Sequence, residues 1–345
     1  MYCLIKKFSW DSYELKQIWK CLYLNNKFLT PYSSWEYNDI VHKYVKIKPQ
    51  TLFRTNYFYV YYENNTPLMI FPFQKKHDYL ILFGEGISGA EYLDFIYDEN
   101  ITDNQILNAL RELRVYHSST ELRLYKINEI SKIYRFFHNN VVNLATEFNL
   151  SETYDRICKR IEFSNDYDEY FAGLTKNSKS NLKKAYNKLD KNGIEYEIKF
   201  SLGILKDKNL LREIFKIYTK RSEEWIKKHR AFPFAKYIKN RYFSVTAWSM
   251  QNMDSHCTFC FFLDRKLAAF MTGYLTNYNE ITFPMISMNS EYAKFSPGKI
   301  MISEAVKYLQ QNTNIHALDV SRGDERYKVE MGGHSHYNYR YRLSL

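Results

Sequence analysis

The sequence predicts an α+β (α/β) chain built as two halves, each a mixed central sheet flanked by helices. Two observations carry this. A strand hairpin, further short strands and a capped helix fill residues 1–155. After a polar break near Asn149–Arg160, residues 160–345 run basic helix, second helix, three strands, helix and strand. A chain of 345 residues suits two domains of ordinary size.

In the first half, Trp10, Leu15, Ile18, Trp19 and Leu22 recur at helical spacing, and Pro31 interrupts. Tyr57–Glu63 is β-branched and aromatic, which suits a strand; Asn64-Asn65 is a turn signal, and Pro67–Phe71 is the return strand. Short strands are expected near Tyr79–Phe83 and Tyr92–Ile96, a helix capped by Asp103 through Leu113, and a strand at Glu121–Leu124.

In the second half, Leu182, Ala185, Tyr186 and Leu189 line one face of a helix that Gly193 stops. A second helix from Asn209 to Lys228 is expected to bury Leu211, Ile214, Phe215, Tyr218 and Trp225. Thr258–Leu263 and Leu267–Leu275 meet across Asp264-Arg265-Lys266 as a hairpin, and Glu280–Met288 is the third strand. A helix from Pro297 to Gln311, a strand at His316–Val320 and a terminal strand at Tyr337–Leu343 complete it; the last alternates with period two.

Composition sets limits. A hydrophobic share of 45% supports a sizeable core, and a net charge of +11 favours polyanionic partners or marks a lysine-rich soluble chain. The 32 Tyr accompany abundant Lys, Asn and Ile, so tyrosine enrichment carries no functional weight. Five cysteines in no framework spacing point to free thiols in a reducing compartment. The lone pair Cys257 and Cys260 is read as part of a strand, and the expectation for metal is none. No apolar run reaches the roughly 18 residues that a span needs. Lys6 and Lys7 precede no apolar segment, so the expected location is the cytoplasm.

Three stretches carry a resemblance: Leu174–Lys184, Phe295-Ser296-Pro297-Gly298-Lys299 opening a helix, and Asp319-Val320-Ser321-Arg322-Gly323-Asp324-Glu325-Arg326-Tyr327-Lys328. With the order strand, strand, strand, helix, strand, they resemble GNAT-superfamily acyltransferases, and over residues 168–333 the CelD type associated with exopolysaccharide biosynthesis. Pro31 to Trp35 and Tyr92-Leu93-Asp94 extend the likeness into the first half. The resemblance implies tandem GNAT-like halves, similar to Fem-type transferases. It also implies transfer of an acyl group, in the first instance acetyl, from acyl-CoA to an amine, such as an amino sugar of a cell-surface glycan. The usual (Gln/Arg)-x-x-Gly-x-(Gly/Ala) loop is reduced here to Ser296-Pro297-Gly298-Lys299.

The residues themselves give this chemistry a place. Pro297 pre-sets a helical φ, Gly298 admits a ligand close to the backbone, and the unpaired first N–H groups with Lys299 suit a diphosphate; an ordinary helix cap is the plain alternative. Pro284 cannot donate to a ladder, so its strand is bulged or at an edge. In the family that gap exposes backbone, here at Met285 and Ile286, to the pantetheine arm. Amine acylation needs a base, a stabilised oxyanion and a protonated leaving group. Asp319, Asp324 and Glu325 are the carboxylates at hand, Tyr327 the acid, and Arg322 and Lys328 the groups for a phosphate or an acidic acceptor; a structural ion-pair loop is the alternative.

Lys176, Lys179, Lys183, Lys184, Lys188 and Lys191 form either a solvated face or a contact for an acidic membrane surface or tRNA. His334 and His336 lack a carboxylate partner, and His229 between Lys228 and Arg230 reads as surface. Two other functions stay open: a Fem-like transferase that uses aminoacyl-tRNA, and a binding protein that kept the fold without the chemistry.

Overall fold

The computed structural model describes residues 3–47, 55–87, 89–164, 166–230 and 234–345. The chain divides into two compact units, Met1–Ile157 with His336–Leu345, and Cys158–Ser335.

The strands of the first unit are β1 (Cys3–Phe8), β2 (Asn56–Glu63), β3 (Thr66–Lys76), β4 (Tyr79–Leu82), the two-residue β5 (Ile96–Tyr97) and β6 (Glu121–Asn128). From β1 to β4 each neighbour is antiparallel, whereas β4 pairs with β6 in parallel over three residues. The carboxy-terminal strand β13 (His334–Ser344) pairs antiparallel with β6, so the last strand joins the first unit rather than ending the second. Asn64 and Asn65 turn the β2–β3 hairpin at φ 47° and 66°, as a two-residue loop with both positions left-handed requires.

Among the described residues, the helices of this unit are α1 (Tyr13–Leu24), α2 (Trp35–Ile47), α3 (Asp103–Tyr116), α4 (Lys132–Asn139) and α5 (Val141–Phe148). Trp10 stacks on Trp35 at 4.3 Å and on His42 at 4.7 Å, while buried Trp19 donates to the Ser33 carbonyl at 2.8 Å. Two expectations are corrected. The helix N-cap is Thr102, not Asp103: Thr102 Oγ1 accepts the Gln105 N–H while the Gln105 side chain turns back, a capping box. The strand expected at Tyr92–Ile96 shrinks to Ile96–Tyr97; Tyr92 adopts φ 55°, in the left-handed region rather than the extended one.

The second unit begins within β7 (Ser151–Glu162), whose residues from Cys158 belong to it. Its other strands are β8 (Tyr196–Leu202), β9 (His256–Leu263), β10 (Lys266–Leu275), β11 (Glu280–Met288) and β12 (Ala317–Arg322). The order is β7-β12-β11-β10-β9-β8, antiparallel throughout except β11 with β12. Its helices are α6 (Tyr167–Gly173), α7 (Lys176–Lys191), α8 (Lys208–Lys228), α9 (Phe234–Asn252), α10 (Pro297–Asn312) and α11 (Arg326–Glu330).

Both sheet faces are covered, which is why β9 reads as a continuous apolar run. Cys257, Phe259 and Phe261 pack with Leu182 of α7 and Ile302 of α10. Cys260 and Phe262 point the other way, toward Ile214 of α8 and Phe243 of α9. The two cysteines thus sit in a strand as expected, both buried. Of the residues expected inside α8, Phe215 and Trp225 are each 43% exposed.

Candidate active site

The site starts from a ladder that stops. β11 and β12 pair only over Glu280–Thr282 with Ala317–Asp319, while β11 stays on β10 as far as Met288. Beyond Thr282, β11 has no β12 partner among the described residues. Three local features end the pairing. Pro284 brings no N–H to a ladder. Ser321 adopts φ 57°, with a shift in the β12–β7 register between Asp319 and Arg322. A third irregularity lies between Thr272 and Tyr274 on β10, where Gly273 passes so close to the Thr282 carbonyl that a Cβ would overlap it. Past the fork, Met285 packs toward α8 and α9 and Ile286 toward α7 and α10.

On the α7 and α10 side the fork meets a helix start. Ser296 turns the chain at φ 54°, Pro297 occupies the first helical position, and no side chain caps the end. The N–H groups of Lys299 and Ile300 reach the Ser296 carbonyl, and a Cβ on Gly298 would meet nothing within 4 Å. Here lies a cavity of about 600 Å³. Lys184 and Lys188 of α7 line it with Lys294, Lys299 and Arg326, and the single carboxylate is Glu330. Lys299 and Arg326 both pair with Glu330, the latter at 2.8 Å. Burial pushes the Glu330 carboxyl pKa up, but the Lys299 and Arg326 charges outweigh it and hold the pKa below its ordinary value. Five cations against one carboxylate, at an uncapped helix start, suit a polyphosphate.

Tyr327 lines the same cavity. Burial, and then Glu325, raise its phenol pKa, so the hydroxyl stays protonated and able to donate. Asp319 is buried on the last shared rung, where its Oδ1 accepts the Ser321 N–H at 2.6 Å. Behind it Glu280 faces Arg160 and His316; burial raises its carboxyl pKa against the pull of both cations. Asp324 and Glu325 are exposed.

The structure gives Lys328 a different part from the one expected. Its side chain is buried, with Nζ on the carbonyls of Ser321 and Arg322 and 3.0 Å from Glu325 Oε2. A lysine whose three donors are spent this way holds the loop after β12 and has none left for an acceptor. Arg322 is exposed at the end of β12. His334 is exposed, and buried His336 shares a hydrogen bond with Asn128 at 2.9 Å. Among the described residues no group of three or more metal-ligating side chains converges.

Lys294 and Arg326 were not picked out by sequence reasoning, and Lys184 and Lys188 went unresolved within a lysine-rich face. The signal for the latter pair is spacing: they stand at i and i+4, flanking the buried Ala185 and Leu189.

Residues 176–329 match the family model of the acetyltransferase (GNAT) domain. This chain has the GNAT fold. The similar solved structures agree. FemX superposes with a TM-score of 0.62 at 8% identity, covering 99% of this chain and 97% of that one. A tandem GNAT protein from the clavulanic acid biosynthesis pathway gives 0.52 at 8% identity, covering 99% and 98%. The C-terminal domain of a putative lysylphosphatidylglycerol synthetase from Agrobacterium fabrum gives 0.54 at 9%, covering 96% and 91%. At such identities the likeness is one of fold alone. No curated protein matches the chain. In GNAT terms β11 and β12 are the forked pair and α10 follows the fork; among the described residues no helix is long and apolar enough to cross a membrane.

Proposed function

We propose that the second unit transfers an acyl group, acetyl in the first instance, from acyl-CoA to an amine. The observation that carries this is the fork beyond Thr282 and Asp319 with a five-cation cavity at the start of α10 on one side. Lys184, Lys188, Lys294, Lys299 and Arg326 hold the phosphates of the donor. The backbone of Met285 and Ile286, freed of β12, pairs with the pantetheine arm and polarises the thioester carbonyl. Asp319 is our choice of base because it stands at the fork, with Asp324 and Glu325 as the exposed alternatives. It takes a proton from the attacking amine as the C–N bond forms. Tyr327 supplies a proton to the sulfur as the C–S bond breaks. The likeness of Asp319–Lys328 to the CelD type supports an amino sugar of a cell-surface glycan as the acceptor.

Thermal melts with acetyl-CoA, longer acyl-CoAs and free coenzyme A test the donor. A rise in Tm that Lys188→Ala/Lys294→Ala abolishes supports the reading; no shift with any of them overturns it.

A second reading has its own observation. The fold is shared with FemX, and the lysines of α7 that do not face the cavity, such as Lys176 and Lys191, offer a further basic surface. A Fem-like transferase would take its group from aminoacyl-tRNA through that surface. Binding of tRNA that falls steeply with salt, together with indifference to coenzyme A, would favour it.

A further inference from the structure

We propose that the free edge of β8 is a docking surface for a second copy of this chain, the two β8 strands pairing antiparallel about Ile198. This does not depend on which group the second unit transfers.

β8 ends its sheet, with β9 on one side and no strand on the other among the described residues. Every residue of β8 is at least partly exposed, whereas every residue of β9 is buried. The ladder fixes which groups the free edge presents. In antiparallel pairing, residues that exchange bonds with one neighbour alternate with residues that face away from it. Just beyond the two ends of β8, the Gly203 N–H donates to the His256 carbonyl at 2.7 Å and the Asp264 N–H to the Glu195 carbonyl at 2.9 Å. Both continue the register that runs from Tyr196 opposite Leu263 to Leu202 opposite Cys257. The odd-numbered residues therefore bond to β9, and Tyr196, Ile198, Phe200 and Leu202 turn their N–H and C=O groups outward.

That parity limits self-pairing. Outward groups meet outward groups only when each residue faces one of like parity, so the two-fold axis passes through a residue and not between two. About Lys199 the axis sets lysine against lysine, and about Glu197 it sets glutamate against glutamate. About Phe200, Lys199 faces Ser201 and no charge is paired. About Ile198, Glu197 faces Lys199 of the second copy, Lys199 faces Glu197, and Tyr196 faces Phe200. Glu197 and Lys199 are both exposed and already lie 3.4 Å apart on one face of the strand. The other face carries Tyr196, Ile198, Phe200 and Leu202. Of these, Ile198 and Phe200 pack on the core, while Tyr196 and Leu202 are 41% and 53% exposed. Pairing about Ile198 thus joins opposite charges on one face and continues the apolar stripe on the other. A proline or a run of like charge commonly blocks such an edge, and β8 has neither.

Sedimentation equilibrium of the full chain over a range of concentrations reads this directly. The parent should dimerise reversibly. Lys199→Glu and Glu197→Lys each set like charges opposite one another at both symmetric positions, and each should weaken the dimer at least about tenfold. An equimolar mixture of the two variants should dimerise again, because each then meets the opposite charge on the other. The double reversal Glu197→Lys/Lys199→Glu should dimerise as the parent does. A folding defect in the single variants would not be rescued by mixing. The inference is overturned if the parent is monomeric at every concentration, if the single variants dimerise as the parent does, or if either the mixture or the double reversal fails to restore what the single variants lose.

Discussion

Thr282 and Asp319 are the last residues that β11 and β12 share, and Gly273 lies against the Thr282 carbonyl from the other side. The fork is thus built from three strands. Any side chain at 273 must push Thr282 away from β10 or toward β12. Gly273→Val is expected to cost about 3 kcal/mol by overpacking. A urea midpoint checks the cost. Coenzyme A titration of the folded fraction checks that donor binding falls with it.

Glu330 holds Lys299 and Arg326 in a cavity otherwise free of carboxylates. It steadies both cations but competes with any incoming phosphate. Glu330→Gln should tighten coenzyme A about fivefold, the equivalent of about 1 kcal/mol, and steepen the salt dependence of binding. The same change removes a pH-linked increment of stability. A carboxyl with a depressed folded pKa stabilises above its ordinary value of 4.5 and loses that contribution as pH falls through the folded value. The parent should therefore lose more stability than the variant on acidification below that point, as denaturation at stepped pH would report.

How much of this was legible follows from what each signal encodes. Hairpins announced themselves, because Asn64-Asn65 and Asp264-Arg265 are residue pairs that accept positive φ. The helix opening at Pro297 was legible for the same local reason. Tyr92 carries no such mark: an aromatic residue at positive φ looks like a strand residue, and only the tertiary setting overrides it. Lys328 shows the limit on the site. A lysine shortly after Arg322 and Asp324 reads as a ligand-binding charge, and nothing in its neighbours says that it folds back onto the carbonyls of Ser321 and Arg322. Lys239 and Trp225 lie 14 positions apart on different helices, so the place of the Lys239 Nζ over the Trp225 ring, 4.0 Å from its centroid, is a matter of packing.

That burial of Lys328 has a cost that can be measured. Lys328→Met fills the space but leaves the carbonyls of Ser321 and Arg322 without their donor and Glu325 without its cation. A loss of about 2 kcal/mol is expected from buried acceptors left unsatisfied. A thermal melt reads the loss. If Lys328 instead bound an acceptor, stability would hold while the KM for the acceptor rose.

Two buried groups in the first unit should pull its stability in opposite directions with pH. Asp94 is enclosed with Ser131 at 2.6 Å, and burial raises its carboxyl pKa from 3.8 to about 7. The folded state then holds the extra proton across that window, so stability falls as pH rises through it. His42, stacked on Trp10, has its pKa lowered by burial, and then by Lys46, from 6.5 to about 4. There the unfolded state holds the extra proton, so stability rises with pH over that window. Relative to the parent, Asp94→Asn should tilt the curve toward rising stability between about 4 and 7, and His42→Phe should tilt it toward falling stability between about 4 and 6.5. Denaturant titrations of the parent and both variants at stepped pH would separate the slopes, and parallel curves would show that neither group titrates as its surroundings require.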